Sequence, residues 1–193
     1  TLLTYMFLHA NWMHILPNLL FLWIFGDNIE DAFGHGRFLI YFLLSGIVTA
    51  IIHAALSGFS GDTPLIGASG AIAALLGAYF RLFPKARIRL LFPVVILLPP
   101  LILFGAPFIA YFYLPAWIFL SGWFGLDLYN GIILGTGDTI AFWVHISGFL
   151  LGFASAKLFR STTATHFYGK MEQLSPKEGT TTDLTHRRFQ DKT

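Results

Sequence analysis

Apolar residues fall along this chain in long blocks, at about 12–25, 38–56, 65–83, 90–126 and 140–159, separated by short polar or proline-rich stretches. A block near 20 residues suits a helix crossing a bilayer core about 30 Å thick, since each helical residue advances about 1.5 Å. The first block is short for a span, but a helix screened by its neighbours need not carry a full apolar stretch. The block at 90–126 is too long for one helix. Pro93, Pro99, Pro100, Pro107 and Pro115 interrupt it, and proline lacks the N–H and clashes with the preceding turn. The pattern predicts irregular or peripheral membrane structure over 90–112 and a true span over 114–130. The expected fold class is all-α, a polytopic transmembrane helix bundle with five spans in the residues given.

Composition supports a lipid solvent. Hydrophobic residues make up 55% and charged residues 11% of the 193, with a mean hydropathy of +0.68, against roughly 25% charge in a soluble domain. The length suits one membrane domain, 1–160, followed by a polar tail, 161–193, rich in Thr, Lys, Arg and Asp and expected to be loosely ordered. The positive balance of that tail accounts for the isoelectric point near 9.0 without any role for nucleic acid. There is no cysteine, which excludes disulfides and thiolate chemistry. No signal peptide is visible and the first residue is Thr1 rather than methionine, so an upstream segment is expected.

Positive charge sets an orientation. Arg81, Lys85, Arg87 and Arg89 follow the third block, and Lys157 and Arg160 follow the last; both sites are cytoplasmic by the positive-inside rule. The stretch 57–64 carries no basic residue and is placed outside. Asp27, Glu30, Asp31 and Arg37 form a mixed loop that alternation puts inside. Helices starting near 14, 69 and 140 then all enter from the outer face.

That common entry side gives the polar residues meaning. His145 falls about 8–10 Å below its helix start, and Ser69 a little less. His14 and Asn18 share a helical face at i,i+4 in the first turn or so of theirs. Each alone could simply hydrogen-bond a neighbouring helix. Together they place four polar groups from three helices at one depth, where such groups are costly and face a bundle interior or a wet cavity. Small residues follow Ser69 at Ala73 and Gly77, and follow His145 at Gly148 and Gly152. Such stripes often only pack, but they also let membrane helices approach closely, here bringing serine and histidine within reach.

The chemistry this suggests is proteolysis within the bilayer. His145 would take the Ser69 proton as the serine attacks a peptide carbonyl, giving a tetrahedral intermediate and an acyl-enzyme. Candidates for the oxyanion are the Ser69 backbone N–H, the Asn18 amide and His14. Asp27, Glu30 and Asp31 lie at the opposite membrane face, too far to orient His145. A dyad is therefore expected, with no cofactor and no metal.

Gly67-Ala68-Ser69-Gly70 resembles the Gly-x-Ser-Gly of rhomboid intramembrane serine proteases, and His145 to Gly152 resembles their His-x-x-Gly-x-x-x-Gly. His9, His14 and Asn18 are similar to the polar set leading into the family's second helix. Glu30 to Arg37 is similar to its cytoplasmic Glu-x-x-x-Gly-x-x-x-Arg loop. The resemblance covers nearly all of 1–160. It implies a six-helix core, with the first helix missing from this chain, a Ser69–His145 dyad, and an oxyanion site at Asn18 and His14. It implies cleavage of single-span membrane proteins, and a multi-pass location in the bacterial inner membrane with the site toward the outer face and the tail cytoplasmic. It also implies that the helix at about 114–130, with Trp117, Trp123 and Phe124, lines a lateral gate, although those aromatics are equally explained as lipid-facing bulk. The insert at 90–112 is longer than the family's usual one. No oligomeric state follows from any of this.

Other histidines have plainer expectations: His9 a supporting hydrogen bond, His53 a structural place, His35 solvation, and His166 and His186 the tail. Two rival classes remain. Gly135-Thr136-Gly137-Asp138 spells the Gly-x-Gly-Asp of intramembrane aspartyl proteases, with Asp127 as a conceivable partner. The stretch is turn-rich, however, where a helix cap is commoner, and no Tyr-Asp element precedes it. No His-Glu-x-x-His suggests a zinc protease. The other rival is a catalytically inactive rhomboid-like protein that binds membrane clients, a class that generally lacks the serine or histidine kept here.

Overall fold

The computed structural model describes residues 2–59, 64–93, 109–133 and 139–161. Among these residues five helices occupy the five expected positions: α1 (Trp12–Phe33), α2 (His35–Leu56), α3 (Ser69–Leu82), α4 (Ala116–Ile133) and α5 (Thr139–Phe159). A single 3-10 turn, Thr4–Phe7, precedes them. Between α3 and α4 lies an antiparallel ribbon of β1 (Arg87–Pro93) and β2 (Ile109–Pro115).

That ribbon corrects the expectation of irregular structure over 90–112 and of a purely helical chain. Ile88 to Phe92 and Ile109 to Leu114 are rich in the branched and aromatic residues that favour strands. Pro93 and Pro115 fall at strand ends, opposite Ile109 and Arg87, where a missing N–H costs the ladder least. Residues 94–108, including Pro99, Pro100 and Pro107, lie outside the described residues.

A second correction concerns the mixed loop. Asp27, Glu30 and Asp31 are in the last turns of α1, and Arg37 is in the first turn of α2. Gly34 alone turns the chain, at φ +82°, where a side chain would be strained. Its N–H donates to the Glu30 carbonyl at 2.7 Å. His35 is exposed yet paired, its Nδ1 2.7 Å from Glu30 Oε1, rather than merely solvated.

At the centre is α3, buried at every position from Gly70 to Tyr79. Its closest neighbour is α5, and glycines set the distance. A Cβ built on Gly152 would overlap the Ala74 carbonyl, and one on Gly77 the Phe149 carbonyl. On Gly148 it would come 2.5 Å from the Gly70 carbonyl. The α3 face in contact is thus Gly70, Ala73, Ala74 and Gly77, adding Gly70 and Ala74 to the small residues read from the sequence. Phe25, Tyr79 and Phe119 stack across α1, α3 and α4, and the Tyr41 hydroxyl donates to the Ala74 carbonyl at 3.2 Å.

The outside is apolar. Trp12, Met13, Trp23 and Leu158 are exposed, Trp23 by 78%, an arrangement that monomeric proteins in water avoid over large contiguous areas. Among the described residues, α2 and 140–159 of α5 are long and apolar enough to cross a membrane. α3, with 14 residues, is a shorter apolar helix.

Candidate active site

The chain before α1 positions the site from one end of the bundle. Tyr5 is buried, and its hydroxyl donates to the Gly46 carbonyl of α2 at 2.8 Å. Burial pushes its phenol up from the ordinary value. Its carbonyl accepts the Gly67 N–H at 3.0 Å. The Gly-Ala-Ser-Gly turn is therefore tied through Tyr5 to α2.

Asn11 caps α1, its Oδ1 accepting the His14 N–H at 3.0 Å. The helix starts at Trp12, so Pro17 lies in its second turn. It leaves the Met13 carbonyl without its helical donor. Asn18 Nδ2 donates to the His14 carbonyl at 3.0 Å, which leaves the second amide hydrogen uncommitted.

Gly67 joins this pair to the serine. It sits at φ +99°, and a Cβ there would come 2.6 Å from His14 Nε2 and 3.7 Å from Asn18 Nδ2. Ser69 is the first residue of α3. The non-helical segment 64–68 precedes it, so no helical turn separates Ser69 from the start of α3, contrary to expectation. His145 lies six residues after Thr139, the start of α5, about 9 Å along the axis, as the spacing predicts.

All four residues line one cavity of about 640 Å³. His14, Asn18, Ser69 and His145 are each half-buried on its wall. Among the described residues no hydrogen bond joins Ser69 to His145. In unliganded sites such bonds are often long and tighten only with substrate.

Three further residues belong to the site that the sequence reading gave other places. His53, near the end of α2, lines the same cavity. Trp123 of α4 also lines it and lies against His145, ring centroids 6.0 Å apart at 35°, so it is neither lipid-facing bulk nor remote from the chemistry. Asp127, one helical turn further along α4, is buried, with Oδ2 3.3 Å from His145 Nδ1. The contact is not a hydrogen bond, and no other described group satisfies either atom. In the structure Asp127 is six residues from the end of α4 and His145 six from the start of α5, bounds that the sequence did not give. His9, expected to give a supporting hydrogen bond, instead meets His14 edge-on at 5.1 Å, and neither of its nitrogens is hydrogen-bonded to a described residue.

Of the gate aromatics, Phe124 packs on Phe149 at 4.8 Å, while Trp117 is 49% exposed. The Gly135 to Asp138 stretch, most of the polar tail, His166 and His186 lie outside the described residues. Among the described residues, no group of three or more His, Asp or Glu could hold a metal ion.

Comparison with known proteins adds an independent finding. Residues 1–162 match the family described as Rhomboid domain. The chain is 42% identical over 77 residues to "Rhomboid protease GluP" of Bacillus subtilis, covering 40% of this chain and 14% of that protein. It is 27% identical over 157 residues to "Rhomboid protease GlpG" of Salmonella paratyphi A, covering 79% of this chain and 46% of the relative. Against "Rhomboid protein 1, mitochondrial" of Saccharomyces cerevisiae it is 34% identical over 92 residues, 46% of this chain and 27% of that one. The chain thus spans less than half the length of each of these relatives. No solved structure matches it.

Proposed function

This chain belongs to the rhomboid family, and we propose that it is an intramembrane serine endopeptidase cleaving transmembrane segments of single-span membrane proteins. Ser69 is the nucleophile and His145 its base. His145 Nε2 takes the Ser69 proton as Oγ attacks the scissile carbonyl. The developing oxyanion receives hydrogen bonds from the Ser69 backbone N–H, the Asn18 amide and His14. The protonated His145 then donates to the leaving amine, which departs and leaves the acyl group on Ser69. Water, giving its proton to His145, attacks the ester and releases the second product. The observation carrying this reading is that one cavity presents serine, histidine and two further polar groups, on three helices, to a single volume.

The proposed architecture follows the same reading: residues 1–160 form the catalytic membrane domain, five helices of a six-helix core whose first helix lies upstream, and 161–193 form a cytoplasmic tail. The protein sits in the bacterial inner membrane with the cavity opening outward.

The deciding experiment places the protein, with its upstream helix, in liposomes with a generic single-span substrate and a fluorophosphonate probe. Cleavage is expected in the wild type, together with a probe adduct that peptide mapping finds on Ser69. Both should fall at least about 10³-fold in His145→Ala, as for loss of a base from a serine catalytic group. Substrate binding without cleavage or labelling by the folded wild type would replace the protease by a client-binding protein.

Gly67 gives a separate check on the oxyanion group. Gly67→Ala forces an L side chain into a left-handed conformation, at about 1–2 kcal/mol, and drives its Cβ onto His14. The protein should still fold, with its melting temperature lowered by a few degrees. Its kcat should fall about 10²-fold, the usual effect of losing one oxyanion donor. A rate equal to wild type would detach His14 from the reaction.

A further inference from the structure

We propose that Asp127 is the positioning residue for His145, so that the base is held by an acid on α4 and the site works as a Ser–His–Asp group rather than a dyad. This rests on the serine protease reading of the cavity. His145 Nδ1 and Asp127 Oδ2 are 3.3 Å apart and both buried, and no hydrogen bond to any other described residue satisfies either atom. At that separation an N–H on Nδ1 is within reach of the carboxylate.

A carboxylate in an apolar helix is costly unless paired. Within the described structure the paired group is the base itself. Asp127 fixes the proton on Nδ1, because a carboxylate can only accept. Nε2, the remaining ring nitrogen, is thereby left with its lone pair for the Ser69 proton. As that proton arrives, the imidazolium sits beside a carboxylate that stays ionised throughout.

Trp123 completes the cradle. It precedes Asp127 by four residues, on the same face of α4, and its indole lies against the His145 ring. One helix thus supplies both the face contact and the edge contact of the base. The acids of the α1 end considered at first, Asp27, Glu30 and Asp31, play no part.

The test uses the full protein in liposomes or detergent, with uniformly ¹⁵N-labelled histidine. The His145 signal, identified as the one missing from His145→Ala, should be that of the Nδ1-protonated tautomer at the pH of activity. An Nε2-protonated His145 in the active wild type would overturn the proposal, whatever any variant does. Asp127→Asn, which can offer Nδ1 a donor instead, should lower kcat about 10²-fold with KM within twofold, and shift the tautomer signal. The corresponding change in a buried triad costs about 10⁴-fold; less is expected here because the separation is long. Asp127→Glu should restore much of kcat and the wild-type tautomer. Asparagine and wild type agreeing within threefold in kcat would also overturn it. A wild type that neither cleaves nor reacts with fluorophosphonate, but shows the Nδ1-protonated signal, would instead sink the protease reading and leave the pairing standing.

Discussion

Ser69→Ala is expected to reduce substrate cleavage by at least about 10⁴-fold, equivalent to some 5.5 kcal/mol of transition-state stabilisation. Fluorophosphonate labelling should disappear altogether. The loss is chemical rather than structural. Ser69 opens α3 with its side chain half-buried on the cavity wall, and its hydroxyl makes no hydrogen bond within the described residues. Alanine is also the better helix former, so the melting temperature should stay at the wild-type value. Residual hydrolysis would come from the oxyanion donors acting on bound substrate with water as nucleophile. Steady-state cleavage of a single-span substrate in liposomes, beside thermal unfolding of the same preparation, measures both halves. Undiminished cleavage in Ser69→Ala, abolished by Asp138→Asn, would transfer the chemistry to an aspartyl mechanism.

Gly152→Val should be the most destabilising single change in the bundle. Its first added atom already lies on top of the Ala74 carbonyl. Backbone cannot step aside as the tip of a flexible side chain can, so α3 and α5 must separate. Overpacking of this kind costs about 3 kcal/mol, roughly a hundredfold in the folding equilibrium. Activity should fall further than stability. Ser69 rides on one of those helices and His145 on the other, and a misplacement of about 1 Å can cost 10² in rate. Gly125→Ala on α4 is the control, since a Cβ there meets nothing within 4 Å; it should leave the melting temperature within a degree or two of wild type. Thermal unfolding in detergent separates the two. A Gly152→Val protein as stable as Gly125→Ala would mean that the helices are not held at glycine distance.

The five helices could be read from the sequence because lipid imposes a single long hydrophobic period, and prolines punctuate it. Ser69, His145, His14 and Asn18 could be read because each stands out as polar in an apolar block. The ribbon formed by Arg87–Pro93 and Ile109–Pro115 was not legible, because short apolar runs rich in Ile, Phe and Tyr look alike as strand, helix or irregular membrane segment. Strand pairing joins residues 16 to 28 positions apart, which no local pattern carries. Asp127 was missed for a different reason. Acids were sought near the conspicuous charged cluster of the first turn, whereas the one that lies beside His145 is isolated within an apolar helix and is brought there only by tertiary packing. The helix boundary at Gly34 was hidden too: three acids and an arginine read as a loop, although one glycine makes the whole turn.

The shortness of α3 reaches beyond the active site into how the chain enters its membrane. Fourteen residues make about 21 Å of helix, some 9 Å less than the hydrocarbon is thick. The segment 64–68 that makes up the difference is not helical, and lipid cannot satisfy its amide and carbonyl groups. On its own, α3 is a poor passenger for the insertion machinery. It becomes acceptable once α1, α2 and α5 surround it with protein. Since α5 is synthesised after the other described helices, the piece carrying Ser69 must wait near the membrane surface, or cross transiently and badly solvated, until α5 arrives. Assembly of this protein is then a late closure around its central helix, and Ser69 is enclosed only when the helix that carries His145 is in place.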